Sequence, residues 1–172
     1  MRQVALFYSI ILPTRRIRSA DLAAVAQSAG LRLITTVLST GNLILDDYAD
    51  PPALESRFES ATLTLLGKAI PVFVRSAPEF RDLTEGNPFP DANPAQTAVR
   101  ILRQNPTPET LARLQTLLNR QERFAAADRA LWLTSTGALA ERPLFRAINS
   151  PAIGQGTSRN ASALGKIAAA LA

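Results

Sequence analysis

The chain has 172 residues, 47% of them hydrophobic, a net charge of +5, and neither cysteine nor histidine. That length suits one ordinary domain or two small packed ones with a sizeable core. The missing residue types exclude disulfides, thiolate or imidazole metal sites, cysteine nucleophiles and Ser-His-Asp chemistry, leaving carboxylates, Arg, Lys, Tyr and backbone dipoles for any catalysis.

Residues 3–12, QVALFYSIIL, are dense in leucine, β-branched and aromatic residues and stop at Pro13, which predicts a buried strand. The stretch falls short of the ~18 apolar residues a membrane span needs. Only Arg2 precedes it, where a secretory leader would carry its positive region. A cytoplasmic protein without membrane contact is expected. Ser19 is placed to cap a helix running to Ala29, with Asp21 in its first turn and Gly30 as its stop. Leu22, Val25, Ala26 and Ala29 form its apolar stripe. Leu31–Leu38 and Leu43–Asp46 read as a hairpin around Ser39-Thr40-Gly41-Asn42, where Gly and Asn tolerate positive φ. A helix from Pro52 to Leu66 follows, with Leu54, Phe58, Ala61 and Leu65 on one side and Gly67 as its stop. The strand Ile70 to Arg75 closes the unit. The order β-α-β-β-α-β is the ferredoxin-like arrangement.

A short helix from Ala77 to Glu85 leads into GNPFPDANP, a connection rich in turn residues. The second half opens with a strand, Thr97 to Arg103, broken by Asn105-Pro106-Thr107-Pro108, where a helix to Leu118 begins. Strands at Glu122–Ala126 and Leu131–Thr134, a helix at Arg142–Ile148 and a closing helix from Asn160 complete it. The halves resemble each other in the order of elements, not in residue identity. The expected fold is α+β with two small abutting subdomains. Residues 1–76 form the ferredoxin-like one, 77–95 a connecting helix and proline-rich linker, and 96–172 a related α/β layer with a C-terminal helix.

Charge is uneven along the chain. Residues 1–32 hold five arginines against Asp21, residues 33–99 four basic against nine acidic, and residues 100–172 ten basic against four acidic. Two basic segments flanking an acidic one fit either mutual neutralisation on folding or a basic surface for nucleic acid or phosphorylated ligands. Arg15, Arg16 and Arg18, between the first strand and helix, either grip phosphate through bidentate guanidinium contacts or face water as an ordinary loop. Thr157, Ser158 and Asn160 are all able to cap the last helix. Beside Arg159 that helix start attracts an anion, or else it is plain capping with a solvated arginine. The spacing is not that of a phosphate-binding loop. Asp46, Asp47 and Asp50 read as a polar strand end rather than a cation site, because strand neighbours point to opposite faces. Trp132, alone among leucines, reads as strand core rather than a base-stacking platform.

Four segments in order carry a resemblance: SADLAAVAQSAGL, STGNLILD, Asn87-Pro88-Phe89 and TSRNASALGKIAAAL. The chain resembles the bacterial domain of unknown function 1697 family. The resemblance implies two small α+β subdomains, the first ferredoxin-like, and no assigned activity, so it supplies no catalytic residues. Family members have a glycine-rich loop after the first strand where this chain has SIILPTRR, with Ser9 in place of the expected arginine, and Ala161 replaces an aromatic. What the resemblance carries over is confined to Gly41, Asn42, Arg159 and Asn160, as candidates for the wall of a pocket shared by that loop and the start of the last helix.

The expectation is a non-enzymatic module without cofactor or metal. Its anion-accepting face would comprise Arg15, Arg16, Arg18, Thr157, Ser158 and Arg159, and its ligand would be nucleic acid or a phosphorylated small molecule. Two alternatives stand beside it. One is a carboxylate- and arginine-based enzyme with a pocket between the subdomains; the other is a structural or self-associating protein, marked by an exposed strand edge or apolar patch.

Overall fold

The first strand, β1 (Arg2–Phe7), lies between two neighbours: Val4 stands opposite Ile44 on one side and Arg75 on the other, both antiparallel. The computed structural model describes residues 1–13 and 15–172. After β1 come α1 (Ser19–Ser28), β2 (Leu33–Val37), β3 (Asn42–Asp46), α2 (Pro51–Leu66), β4 (Val72–Ser76) and α3 (Ala77–Glu85). The strands form a four-stranded sheet in the order β2-β3-β1-β4, the ferredoxin-like topology. Ala5, Phe7, Leu43, Leu45, Val72 and Val74 point to one face and pack with Leu22, Val25, Leu54 and Phe58 of the helices. Phe7 and Phe58 meet edge to face at 5.5 Å between ring centroids. Val4, Leu6, Ile44 and Phe73, on the opposite face, are also fully buried. Burial on both faces explains why these strands read as continuous apolar runs. Each such side chain contributes about 1.5–3 kcal/mol.

Two local expectations change here. The strand ends at Phe7 rather than running on to residue 12, because the chain folds back: Ile17 N–H donates to Ile10 O (2.7 Å) and Leu12 N–H to Arg15 O (2.9 Å). Ile10 and Ile17 are buried in the core, which accounts for the apolar composition of this loop. Arg18, not Ser19, is the N-cap of α1, and the Asp21 carboxylate accepts the Arg18 N–H at 2.7 Å. Asp21 thus satisfies the helix entry and leaves Ser19 as an ordinary first-turn residue.

The second half runs β5 (Thr97–Leu102), α4 (Pro108–Gln115), β6 (Glu122–Ala127), β7 (Ala130–Ser135), α5 (Pro143–Ile148), β8 (Gly156–Asn160) and α6 (Ala161–Leu171). Its sheet has the order β6-β7-β5-β8, element for element the order of the first. Leu102, Leu131, Leu133, Leu144 and Ile148 form its helix-side core, while Val99 and Trp132 are buried on the other face. The strand β8 is the element the sequence conceals, since Gly-Thr-Ser-Arg-Asn has no apolar run. Its pairing with β5 sets Arg159 opposite Val99, just as β4 sets Arg75 opposite Val4.

The chain divides into two compact units: Met1–Asp82 with Lys166–Ala172, and Leu83–Gly165. No helix among the described residues is long and apolar enough to cross a membrane.

Candidate functional site

In the first unit the loop between β1 and α1 is tied to the β2–β3 turn. Phe7 N–H donates to Gly41 O at 2.8 Å, and Arg16 Nη2 to Ser39 O at 2.9 Å. Arg15 meets the Asp21 carboxylate with both terminal nitrogens, at 2.6 and 3.2 Å. That pairing holds Asp21 below the usual carboxylate range, helped by the Arg18 N–H, and raises Arg15 further. Gly41 has φ +77, and a Cβ there would lie 2.7 Å from Ile10 Cγ2. Asn42 is buried, donating to Val37 O and Thr40 Oγ1, both at 2.9 Å. Arg15, Arg16, Arg18, Gly41 and Asn42 therefore gather at one end of the first sheet. Gly41 and Asn42 shape the turn; the three arginines are exposed around it.

Thr157, Ser158, Arg159 and Asn160 belong to the second unit and are strand residues, not a helix-capping loop. Alternation along β8 turns Thr157 and Arg159 to one face and Ser158 to the other. Arg159 is buried and donates to Thr157 Oγ1 and Ser158 O, both at 2.8 Å. Desolvation lowers its pKa to about 10, so it stays charged at neutral pH. Ser158 Oγ lies 2.5 Å from Asn149 Oδ1. Asn160 caps the last helix, accepting the Ala163 N–H at 2.8 Å. Arg75 repeats the Arg159 arrangement: it is buried and donates to the carbonyl of the preceding residue, Val74, at 2.8 Å.

Other expectations concern single residues. Trp132 is buried in β7, as a core residue. Asp46 binds Arg32 and the N-terminal amine, Asp47 lies 3.7 Å from Arg57, and Asp50 caps α2. Among the described residues no group of three potential metal ligands converges.

Sequence reasoning missed a cleft of about 580 Å³ in the second unit, between the β5–α4 and α5–β8 connections. Arg103, Asn105, Thr107, Thr110 and Gln155 line it, with Ile153 as an apolar floor, and no carboxylate is among the described lining. Arg103 is set from two directions: its N–H donates to Gln155 O at 3.1 Å and its Nη1 to Gln155 Oε1 at 2.7 Å. Asn105 is held by the β6–β7 turn, donating to Asp128 Oδ1 at 2.9 Å and accepting the Arg129 N–H at 2.5 Å. Thr107 caps α4 through the Thr110 N–H. At the equivalent end of the first unit the longer β1–α1 connection sends Ile10 and Ile17 into the core. Residues 103–107 are too few to fold back likewise, and the space stays open. The signal was present in the sequence as unequal lengths of equivalent loops.

Residues 1–132 match the family model described as "Protein of unknown function (DUF1697)". A solved structure of the conserved bacterial protein SP0830 from Streptococcus pneumoniae superposes with a TM-score of 0.76 at 16% identity, covering 99% of this chain and 98% of that one. At that identity the likeness concerns the fold. No curated protein matches the sequence.

Proposed function

The chain belongs to the DUF1697 family of proteins of unknown function, and we propose that it is a non-enzymatic cytoplasmic module that binds a phosphorylated small molecule in the cleft of its second unit. The observation that carries this reading is the lining. A single guanidinium, Arg103, is surrounded by neutral hydroxyl and amide groups, and the described wall has no carboxylate to repel an anion. Guanidinium matches phosphate bidentately, and hydroxyls and amides complete the remaining acceptor sites. The volume lies in the range of small-molecule sites. The same lining supplies no proton-transfer group, and the chain has no histidine or cysteine to serve as one, which favours binding over catalysis.

The test is calorimetric titration with inorganic phosphate, pyrophosphate and adenosine 5′-monophosphate, with adenosine as the uncharged control. Binding of at least one phosphate compound, weakened about tenfold or more by Arg103→Ala, is expected. Silence from all three, or affinity indifferent to Arg103, overturns the proposal. Nucleic acid on the exposed Arg16 and Arg18 is the competing reading. It requires single-stranded DNA to bind with steep salt dependence and to be lost on Arg16→Ala/Arg18→Ala.

A further inference from the structure

We infer that the cleft of the second unit takes a nucleoside monophosphate, with its phosphate on the β5–α4 side and its base against residues 151–153. The inference rests on the phosphate-binding reading above and adds the organic part of the ligand. The two walls of the cleft differ in chemistry. Every lining residue on the β5–α4 side except Pro106 is polar, whereas the α5–β8 connection opens with Pro151, Ala152 and Ile153. Pro151 and Ala152 are exposed, and Ile153 is rooted in the core of the unit.

Residues 151–153 cannot hold the phosphate, because the backbone donors of this turn are already spent. Pro151 has no N–H. The Ala152 N–H donates to Ser150 Oγ at 3.3 Å, the Ile153 N–H to Ser150 O at 3.1 Å and the Gly154 N–H to Pro151 O at 3.0 Å. What this wall offers is hydrocarbon, held in place by Arg100, whose Nη2 donates to Gly154 O at 3.1 Å. The opposite wall keeps donors. Thr107 Oγ1 accepts the Thr110 N–H and lies 3.1 Å from Thr110 Oγ1, so one of the two hydroxyl hydrogens is left to donate. With the Arg103 guanidinium on the same side, the phosphate belongs there. The group joined to it must then cover an apolar wall, and a base does so with a flat face that needs no partner. Its polar edge meets Gln155, whose Oε1 accepts Arg103 Nη1 at 2.7 Å and whose Nε2 remains a donor. A sugar phosphate without a base would set hydroxyls against the hydrocarbon and leave them unmet. The cleft, at about 580 Å³, has room for both parts.

Calorimetric titration of the full chain with adenosine 5′-monophosphate and with ribose 5-phosphate separates the two parts of the ligand. The nucleotide should bind about tenfold or more tightly than ribose 5-phosphate. Arg103→Ala should weaken both in parallel. Ala152→Gln, at an exposed position, lays a polar chain over the apolar wall; it should erase most of the difference and leave ribose 5-phosphate binding unchanged. Equal affinities for the two compounds overturn the inference and leave the phosphate site standing. So does a preference that Ala152→Gln fails to reduce, which would put the base elsewhere. Silence from both compounds overturns the inference as well, and with inorganic phosphate and pyrophosphate silent too, the reading it rests on falls with it.

Discussion

Gly41 shows how one residue couples a turn to a loop. Its φ of +77 already disfavours a side chain, and a Cβ would also press within 2.7 Å of Ile10 Cγ2 and 2.9 Å of Phe7 Cβ. Gly67 has a similar φ, +72, with nothing within 4 Å. Gly67→Ala therefore isolates the conformational cost, about 1 kcal/mol, while Gly41→Ala adds overpacking and should cost about 2–4 kcal/mol in urea unfolding. Equal losses would mean that Ile10 moves aside freely. The glycine's role in the turn is legible from Ser-Thr-Gly-Asn; its approach to the loop is not, because Ile10 sits far away in sequence. Arg159 teaches the converse. Read as a charged residue before a helix it belongs in water, yet its place in a strand turns it inward, where Thr157 and a carbonyl receive it.

At the scale of elements, helices and apolar strands were legible because periodicity and punctuation agreed along each of them. β8 was not, since backbone pairing with β5 holds it rather than side-chain apolarity. Gly156 belongs to that pairing: a Cβ there would stand 2.6 Å from Ile101 O. The duplicated order offered the missing hint, since in the first half a fourth strand, β4, directly precedes α3. The edge of β4 is a second feature hidden from composition. Glu55 would be counted on a polar helix face, but it is 8% exposed and spends an oxygen on the Val74 N–H. Glu55→Ala should leave that buried donor unmet and cost about 1–3 kcal/mol, whereas Glu55→Gln keeps an acceptor and should cost less. Hydrogen exchange at Val74 reports the contact directly. Unchanged protection in Glu55→Ala would show that another group already serves it.

For the molecule as a whole, the repeated order βαββαβα makes the two halves of the chain comparable and shows where they diverge. Each unit also carries an exposed aspartate–arginine pair, Asp21 with Arg15 and Asp91 with Arg123, at 2.6 and 3.1 Å. Hydrogen bonding by the arginine is the main reason both carboxyls titrate below their usual range. A carboxylate depressed in the folded state binds fewer protons than it does unfolded, so its contribution is present above the unfolded value, about 3.9. It is lost as pH falls through the lower folded value. The stability difference between the natural chain and Asp21→Asn/Asp91→Asn should accordingly be level from neutrality to about pH 4 and close below it. Both pairs face solvent, so the difference should be small and should shrink further in about 1 M salt, where the screening length is near 3 Å. Urea unfolding across that pH range, at low and high salt, measures both signatures. A difference that persists undiminished at pH 2 would show that the asparagines act through packing or helix entry rather than through charge.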